Sequence, residues 1–401
     1  MQMPTAALGG WQITGMAQAH PVVTIGAPGE DGSPLRETGW YLTQPALMGH
    51  VESPGQRIVL HSTLNFEELT QHDGELTFGG WGEGFIDKRH PHTLLHEMML
   101  SVNFWQVAGG RASLSAGKGF APYGTSDPMA RPGLKYPTNH HLSQILERWT
   151  ANAAWVRGAW SVEAGLFGGQ EPEGIYDFSN IESFGDSWSA RVTRRWGASA
   201  TEPLWEGSVS LGRITQYAHT DQEATRLLNA ALMRTGELGG GELYTLAEAS
   251  QSYLKGHREF FSVLGEARWN GGGHQPYARI EYASRPEYAR LGAAGSEDYF
   301  LYDHDDDPIG ATRWLIATAA YAFEITPNPW SVRPFVEIQR HDVRGDGGGV
   351  TPGGLFGTSS FWAISLGARV LLGGEPMRMG SYGVLDSMTQ MEMAGGAAHV
   401  H

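Results

Sequence analysis

The residues best equipped for chemistry lie in one stretch, Asp87-Lys88-Arg89-His90-Pro91-His92-Thr93-Leu94-Leu95-His96-Glu97. Imidazole nitrogen with carboxylate oxygen is a ligand set for borderline metals such as zinc and copper. Pro91 holds the backbone extended, so His90 and His92 point to opposite sides and need a bend to grip one ion. His92 and His96 stand i, i+4 apart, on one face of a short helix if one forms. A second pair, His140-His141, closes the next long loop ahead of Glu147-Arg148. Asp87, His90, His92, His140 and His141 therefore form a candidate constriction or metal set if both loops fold into a common mouth. The plainer alternative is a hydrogen-bond network that locks a constriction loop.

Two further clusters carry ligand chemistry. Glu297-Asp298 and Asp303-His304-Asp305-Asp306-Asp307 make a dense acidic run, a candidate external cation cluster for Ca²⁺ or a lipopolysaccharide-bound cation. Its spacing is not that of an EF-hand loop, and a solvated loop is the alternative. The tail after residue 373 holds Met377, Met379, Met388, Met391 and Met393 and ends Ala398-His399-Val400-His401. Thioether with imidazole suits copper; a disordered or plug-like terminus is the alternative.

The elements that must position these groups read as strands. Period-2 alternation gives about sixteen segments, within a range of roughly 14 to 18. Strand 97–107 sets Met98, Leu100, Val102 and Phe104 against Ser101, Asn103 and Trp105. Segment 331–340 sets Val332, Pro334, Val336 and Ile338 against Ser331, Arg333, Glu337 and Gln339. In 277–282 Ala278, Ile280 and Tyr282 oppose Arg279 and Glu281, and the last strand spans 360–372. An Arg or Lys on a lipid face near the midplane costs roughly 2–4 kcal/mol. Arg279, Glu281, Arg333 and Glu337 are therefore expected as lumen charges. Segment 221–234 is ambiguous, since Leu227, Leu228, Ala231 and Leu232 fit a helical stripe almost as well.

Connections alternate in length. Stretches such as 67–96, 119–141, 169–184, 285–311 and 342–358 are long, whereas Ser53–Gln56, Gly109-Gly110, Gly158, Asn270–His274 and Thr326–Pro329 are short. That asymmetry predicts an all-β fold, a transmembrane up-and-down antiparallel β-barrel with long external loops and short periplasmic turns. A soluble sandwich or propeller also alternates, but no repeat of fixed period appears. Residues 1–373 are expected to form one barrel and 374–401 a Met/His-containing C-terminal tail.

Composition agrees. The 401 residues include 55 Gly, 14 Trp, 14 Tyr and 15 Phe, which supply turns and interfacial girdles. Mean hydropathy is slightly negative, which a barrel tolerates because only alternate residues need be apolar. A net charge of −15 argues against nucleic acid as a partner. The absence of Cys removes disulfides, thiolate metal sites and thiol nucleophiles. Met1-Gln2-Met3-Pro4 runs into strand-like sequence, so the numbering is read as that of a chain whose signal peptide has been removed.

The motifs Asp87…His90-Pro91-His92, Ala116-Gly117-Lys118-Gly119-Phe120-Ala121-Pro122, Asp127-Pro128-Met129, Arg131-Pro132 and Pro137-Thr138-Asn139-His140-His141 resemble a poorly characterised family of bacterial outer-membrane β-barrels. That family carries an Asp-x-x-His-Pro-His-Asp signature and a downstream His-His. Gly168–Pro172 and Asp186–Arg191 extend the likeness, which covers roughly 80–200. Thr93 stands where the family usually has a second Asp. The resemblance implies compartment and fold more than activity.

The leading expectation is an outer-membrane porin-like channel for small solutes or ions, not an enzyme, narrowed by inward-folded loops 67–96 and 119–141. Its expected partners are outer-membrane lipid, lipopolysaccharide, small solutes and further copies in a homo-oligomer, with no cofactor required. One alternative is a plugged barrel that handles a divalent metal ion, copper or zinc. Another is an outer-membrane hydrolase drawing on His61, or on His90 and His92 near Ser101, although no G-x-S-x-G element occurs.

Overall fold

A chain crossing lipid must pair every backbone N–H and C=O within itself, and alternating apolar segments do so only as a closed sheet. The computed structural model describes residues 5–26, 38–70, 93–125, 131, 142–170, 172, 175–177, 181, 183–197, 203–218, 221–254, 260–287, 310–326, 330–347, 351–353, 358–373 and 379–386. The strands in chain order are β1 (Thr5–Leu8), β2 (Trp11–Gly26), β3 (Thr38–Glu52), β4 (Ile58–Asn65), β5 (Leu95–Val107), β6 (Gly110–Gly119), β7 (Arg148–Arg157), β8 (Trp160–Gly168) and β9 (Phe184–Trp196). They continue as β10 (Leu204–Ala218), β11 (Asp221–Leu238), β12 (Gly241–Leu254), β13 (Phe260–Asn270), β14 (His274–Glu287), β15 (Gly310–Phe323), β16 (Trp330–Gly345) and β17 (Ser360–Leu372).

Sixteen of them, β2 to β17, pair antiparallel with their sequence neighbours and close where β17 meets β2, Ala363 opposite Gly26 through Leu372 opposite Ala17. β1 continues the seam, pairing Thr5–Leu8 with Thr14–Trp11 beyond the end of β17. That cover matters because an unpaired strand edge is costly in lipid and adhesive in water. The ambiguous segment 221–234 is strand throughout, within β11.

Side chains obey the pleat. Leu100, Val102 and Phe104 face out while Ser101 and Asn103 are buried within, and Val336 and Ile338 face out while Glu337 and Gln339 are buried. Tight connections (53–57, 108–109, 158–159, 239–240, 271–273) gather at one end. The other end carries 66–94, 120–147, 169–183, 288–309 and 346–359. The alternation lapses at 219–220 and 255–259, where the expected long connections are brief.

Two aromatic belts mark the ends of the outward apolar band. Trp11, Trp160, Trp196 and Trp330 are exposed at the tight-turn end; Trp40, Phe184, Trp188, Tyr253, Tyr282 and Trp362 are exposed at the other. Half-buried indoles in the first belt donate to neighbouring hairpins: Trp105 Nε1 to Gly55 O (3.2 Å), Trp155 Nε1 to Val107 O (3.0 Å) and Trp269 Nε1 to Leu238 O (2.7 Å). Trp330 faces Leu372, and Trp362 faces Arg340 further along the same ladder. At about 3.3 Å per residue and a tilt of about 40°, the spacing from residue 330 to 340 projects to roughly 25 Å, the height of a barrel's apolar band.

Val336, outward between the belts, provides a test. Val336→Arg is expected to destabilise the barrel by about 2–4 kcal/mol in urea unfolding from lipid vesicles. A loss below about 0.5 kcal/mol would show that this face does not meet lipid.

Candidate functional site

An interior walled by alternate residues of sixteen strands is too wide for side chains alone to fill. Its wall is polar and paired. Arg279 Nε donates to Glu281 at 3.0 Å, with Glu266 3.6 Å from the same guanidinium, and the hydroxyls of Tyr277 and Tyr244 donate to Glu266 at 2.8 and 3.1 Å. Arg191 forks onto Glu163 at 2.6 and 2.8 Å. Arg333 stands directly opposite Arg369 in the β16–β17 ladder and reaches Glu324 at 3.3 Å. The four expected lumen charges, Arg279, Glu281, Arg333 and Glu337, all lie inside, at most 4% exposed.

Chain segments occupy the space between. In the β6–β7 connection, Tyr123 packs with Ile145, Phe167, Ile214 and Leu227 in a buried apolar cluster. Burial, reinforced by the nearby Glu248 carboxylate, pushes the Tyr123 phenol well above its ordinary range. Gly124 N donates to Ser210 Oγ (2.8 Å), and Gly124 O accepts from Arg191 (3.0 Å). Gly124 has φ +65°, and a Cβ there would overlap Ser143 O, so only glycine makes the bend. Arg131 crosses to β12 and pairs with Glu248 at 3.0 Å. Burial would lower that guanidinium, but Glu248 and Glu266 outweigh it and raise it.

The ends of the β4–β5 connection are tucked in as well. Glu67 accepts from Thr43 Oγ1 (2.6 Å) and Gln44 N (3.2 Å). Thr93 donates through N (2.9 Å) and Oγ1 (2.7 Å) to Glu147, which also meets His96 Nδ1 at 2.5 Å, and Lys118 Nζ donates to Thr93 Oγ1. Glu147 holds a left-handed φ of +51° to do this. Thr93, adjoining the His-Pro-His motif, and Lys118 of the Gly-Lys-Gly motif thus meet in one buried cluster.

The C-terminal segment lies against the wall formed by β2 to β7 and touches the start of the β6–β7 connection. Met379 and Tyr382 are buried with Met16, Met48, Met99 and Phe120, while Val384 and Leu385 pack on Val156. Tyr382 Oη accepts from Phe120 N (3.0 Å), Val384 N donates to Ser113 Oγ (3.3 Å), and Arg191 donates to Gly380 O (3.1 Å). Gly383 has φ +59°, and a Cβ there would come 2.4 Å from Ser113.

At the end of this segment Asp386 meets two histidines of the wall. His50 and His61 face each other across β3 and β4, with ring centroids 4.6 Å apart, edge to face. Asp386 Oδ2 is bonded to His61 Nε2, and Oδ1 lies 3.5 Å from His50 Nε2. Glu52 Oε1 lies 3.3 Å from the same His50 nitrogen. Burial would raise the Asp386 carboxyl, but the charges of His61 and His50 outweigh it and hold it well below the usual carboxylate range.

Asp87, His90, His92, His140 and His141 lie outside the described residues, as do Asp303, Asp305, Asp306 and Asp307. Among the tail methionines, Met379 is described and belongs to an apolar cluster. Of the residues drafted for hydrolysis, Ser101 pairs with Ser115 Oγ (2.7 Å) and His61 with Asp386. Sequence reasoning missed the partnership of His50 with His61, which the β3–β4 register about the 53–57 turn sets opposite one another. No periodic signal foretold that Asp386 would join them.

The cysteine-free chain allows a direct check of the tail. A Val384→Cys reporter is expected to react with a maleimide at least about tenfold faster when Gly383→Val is added, the ratio for about 1.4 kcal/mol of local opening. Equal rates would mean that the segment is not seated.

No family model matches the chain, and no curated protein matches it. Among solved structures it is similar to OmpT of Vibrio cholerae in a loop L8 deletion form (TM-score 0.51, 11% identity, covering 90% of this chain and 99% of that one). It is similar in the same degree to OprB of Pseudomonas putida (TM-score 0.51, 9% identity, 90% and 94% covered). The architecture of this chain is that of the bacterial outer-membrane β-barrels.

Proposed function

We propose that the chain is an outer-membrane channel of porin type for small solutes or ions, closed in this conformation by its own segments. The observation that carries this reading is the interior: wide, lined on its strands by paired charges and hydroxyls, and entered by residues 120–125, 131, 142–147 and 379–386. A barrel needing only rigidity is more simply filled with apolar side chains than with buried ions, whose desolvation is costly. Buried carboxylates outnumber buried lysines and arginines among the described residues, which favours cations or neutral solutes over anions. The likeness to outer-membrane barrels supports the compartment, with lipid around the apolar band, lipopolysaccharide at the end with long connections and the tight turns in the periplasm. Assembly into a homo-oligomer belongs to the same reading.

Planar bilayers test it. The full chain is expected to give small or infrequent conductance steps, and a chain lacking 374–401 larger or longer-lived ones, with cation preference in a salt gradient. Silence from both proteins would overturn the channel reading.

A further inference from the structure

Where Asp386 meets the wall, the donor atoms are arranged for an ion. We infer that His50, His61 and Asp386 bind a divalent transition-metal ion of the zinc class and so fasten the C-terminal segment to the barrel wall. One ligand atom from each of His50, His61 and Asp386 lies within 4.8 Å of the others, and all three residues are buried. Metal–ligand bonds of about 2.0–2.2 Å in a tetrahedron separate neighbouring ligand atoms by roughly 3.3–3.5 Å. His50 Nε2 lies 3.3 Å from Glu52 Oε1 and 3.5 Å from Asp386 Oδ1, on that scale.

Hydrogen bonding alone does not account for the cluster. Asp386 satisfies His61, whereas the buried His50 Nε2 stands 3.3 and 3.5 Å from two carboxylate oxygens, longer than the usual N–H···O bond of about 2.7–3.2 Å. A cation among the three donors engages both imidazoles and the Asp386 carboxylate at once, with Glu52 beside His50 adding negative charge. Two imidazole nitrogens and carboxylate oxygen without sulfur select Zn²⁺, Co²⁺ or Ni²⁺ over Cu⁺. The thioether of Met379 lies in an apolar cluster instead. The site draws on two adjacent strands and on the far end of the chain, so occupancy holds the tail in place.

Cobalt titration of the full-length, chelator-stripped protein in detergent tests this. Wild type is expected to bind one equivalent of Co²⁺ with the d–d absorption of a four- or five-coordinate site, displaced by Zn²⁺. His50→Ala/His61→Ala and, separately, Asp386→Ala should each lose that absorption and weaken binding more than about tenfold. His90→Ala/His92→Ala should retain it, which separates this site from the other histidines. Heat-modifiable gel mobility reports barrel closure, and Asp386→Ala leaves the wall intact should the double variant fail to fold. Absence of the absorption in wild type, or its persistence in closed Asp386→Ala, overturns the inference. A protein silent in bilayers but positive here would defeat the channel reading alone.

Discussion

The constraint on which everything else depends is that hydrocarbon offers no partner to a backbone amide. Each unpaired N–H or C=O at membrane depth costs several kcal/mol, so the sheet has to close on itself. Closure explains why β17 returns to β2 and why β1 takes over along β2 where β17 stops. It also fixes the chemistry of both faces. With one side of every strand surrendered to lipid, polar residues can lie only inside, and charges there must find each other. The forked Arg191–Glu163 pair and the Arg279–Glu266–Glu281 group are that requirement made local.

Size then sets a second problem. A ring of sixteen strands encloses more room than its own side chains fill, so either water or more chain must occupy it. Among the described residues, segments of 120–147 and 379–386 take up part of it, bound by a mixture of contacts. Tyr123 and Tyr382 bring apolar bulk to clusters on different stretches of wall, whereas Arg131 and Asp386 are held through charge. Segments anchored partly by ionic and hydrogen-bonded contacts can exchange those contacts for water, which a wholly apolar plug cannot do without exposing its core.

The strand faces were legible in the sequence because lipid enforces them: Met98–Phe104 and Val332–Ile338 show the alternation plainly. Segment 221–234 was not, and the structure supplies the reason. Leu227 points inward onto Tyr123 while Leu228 and Leu232 point to lipid, so apolar residues occupy both faces and erase the period. The pairing of His50 with His61 was available from the turn at 53–57, whereas Asp386 arrives from an aperiodic segment placed only by the finished wall. Thr93, Lys118 and Glu147 were visible as parts of separate motifs; their convergence depends on the registers of β5, β6 and β7.

The connectivity has a kinetic consequence. Among the described residues every ladder but one joins strands consecutive in the chain, and such local pairings form early and cheaply. The exception is the seam, where Thr24 Oγ1 meets Ser365 Oγ across 341 residues of sequence. Until that ladder forms, a nearly complete sheet carries two bare edges able to pair with other chains. The slow and hazardous event in assembly is therefore a single zipping of β17 onto β2, and the segment that follows β17 can settle against β2, β3 and β4 only when those strands have been brought round to meet it.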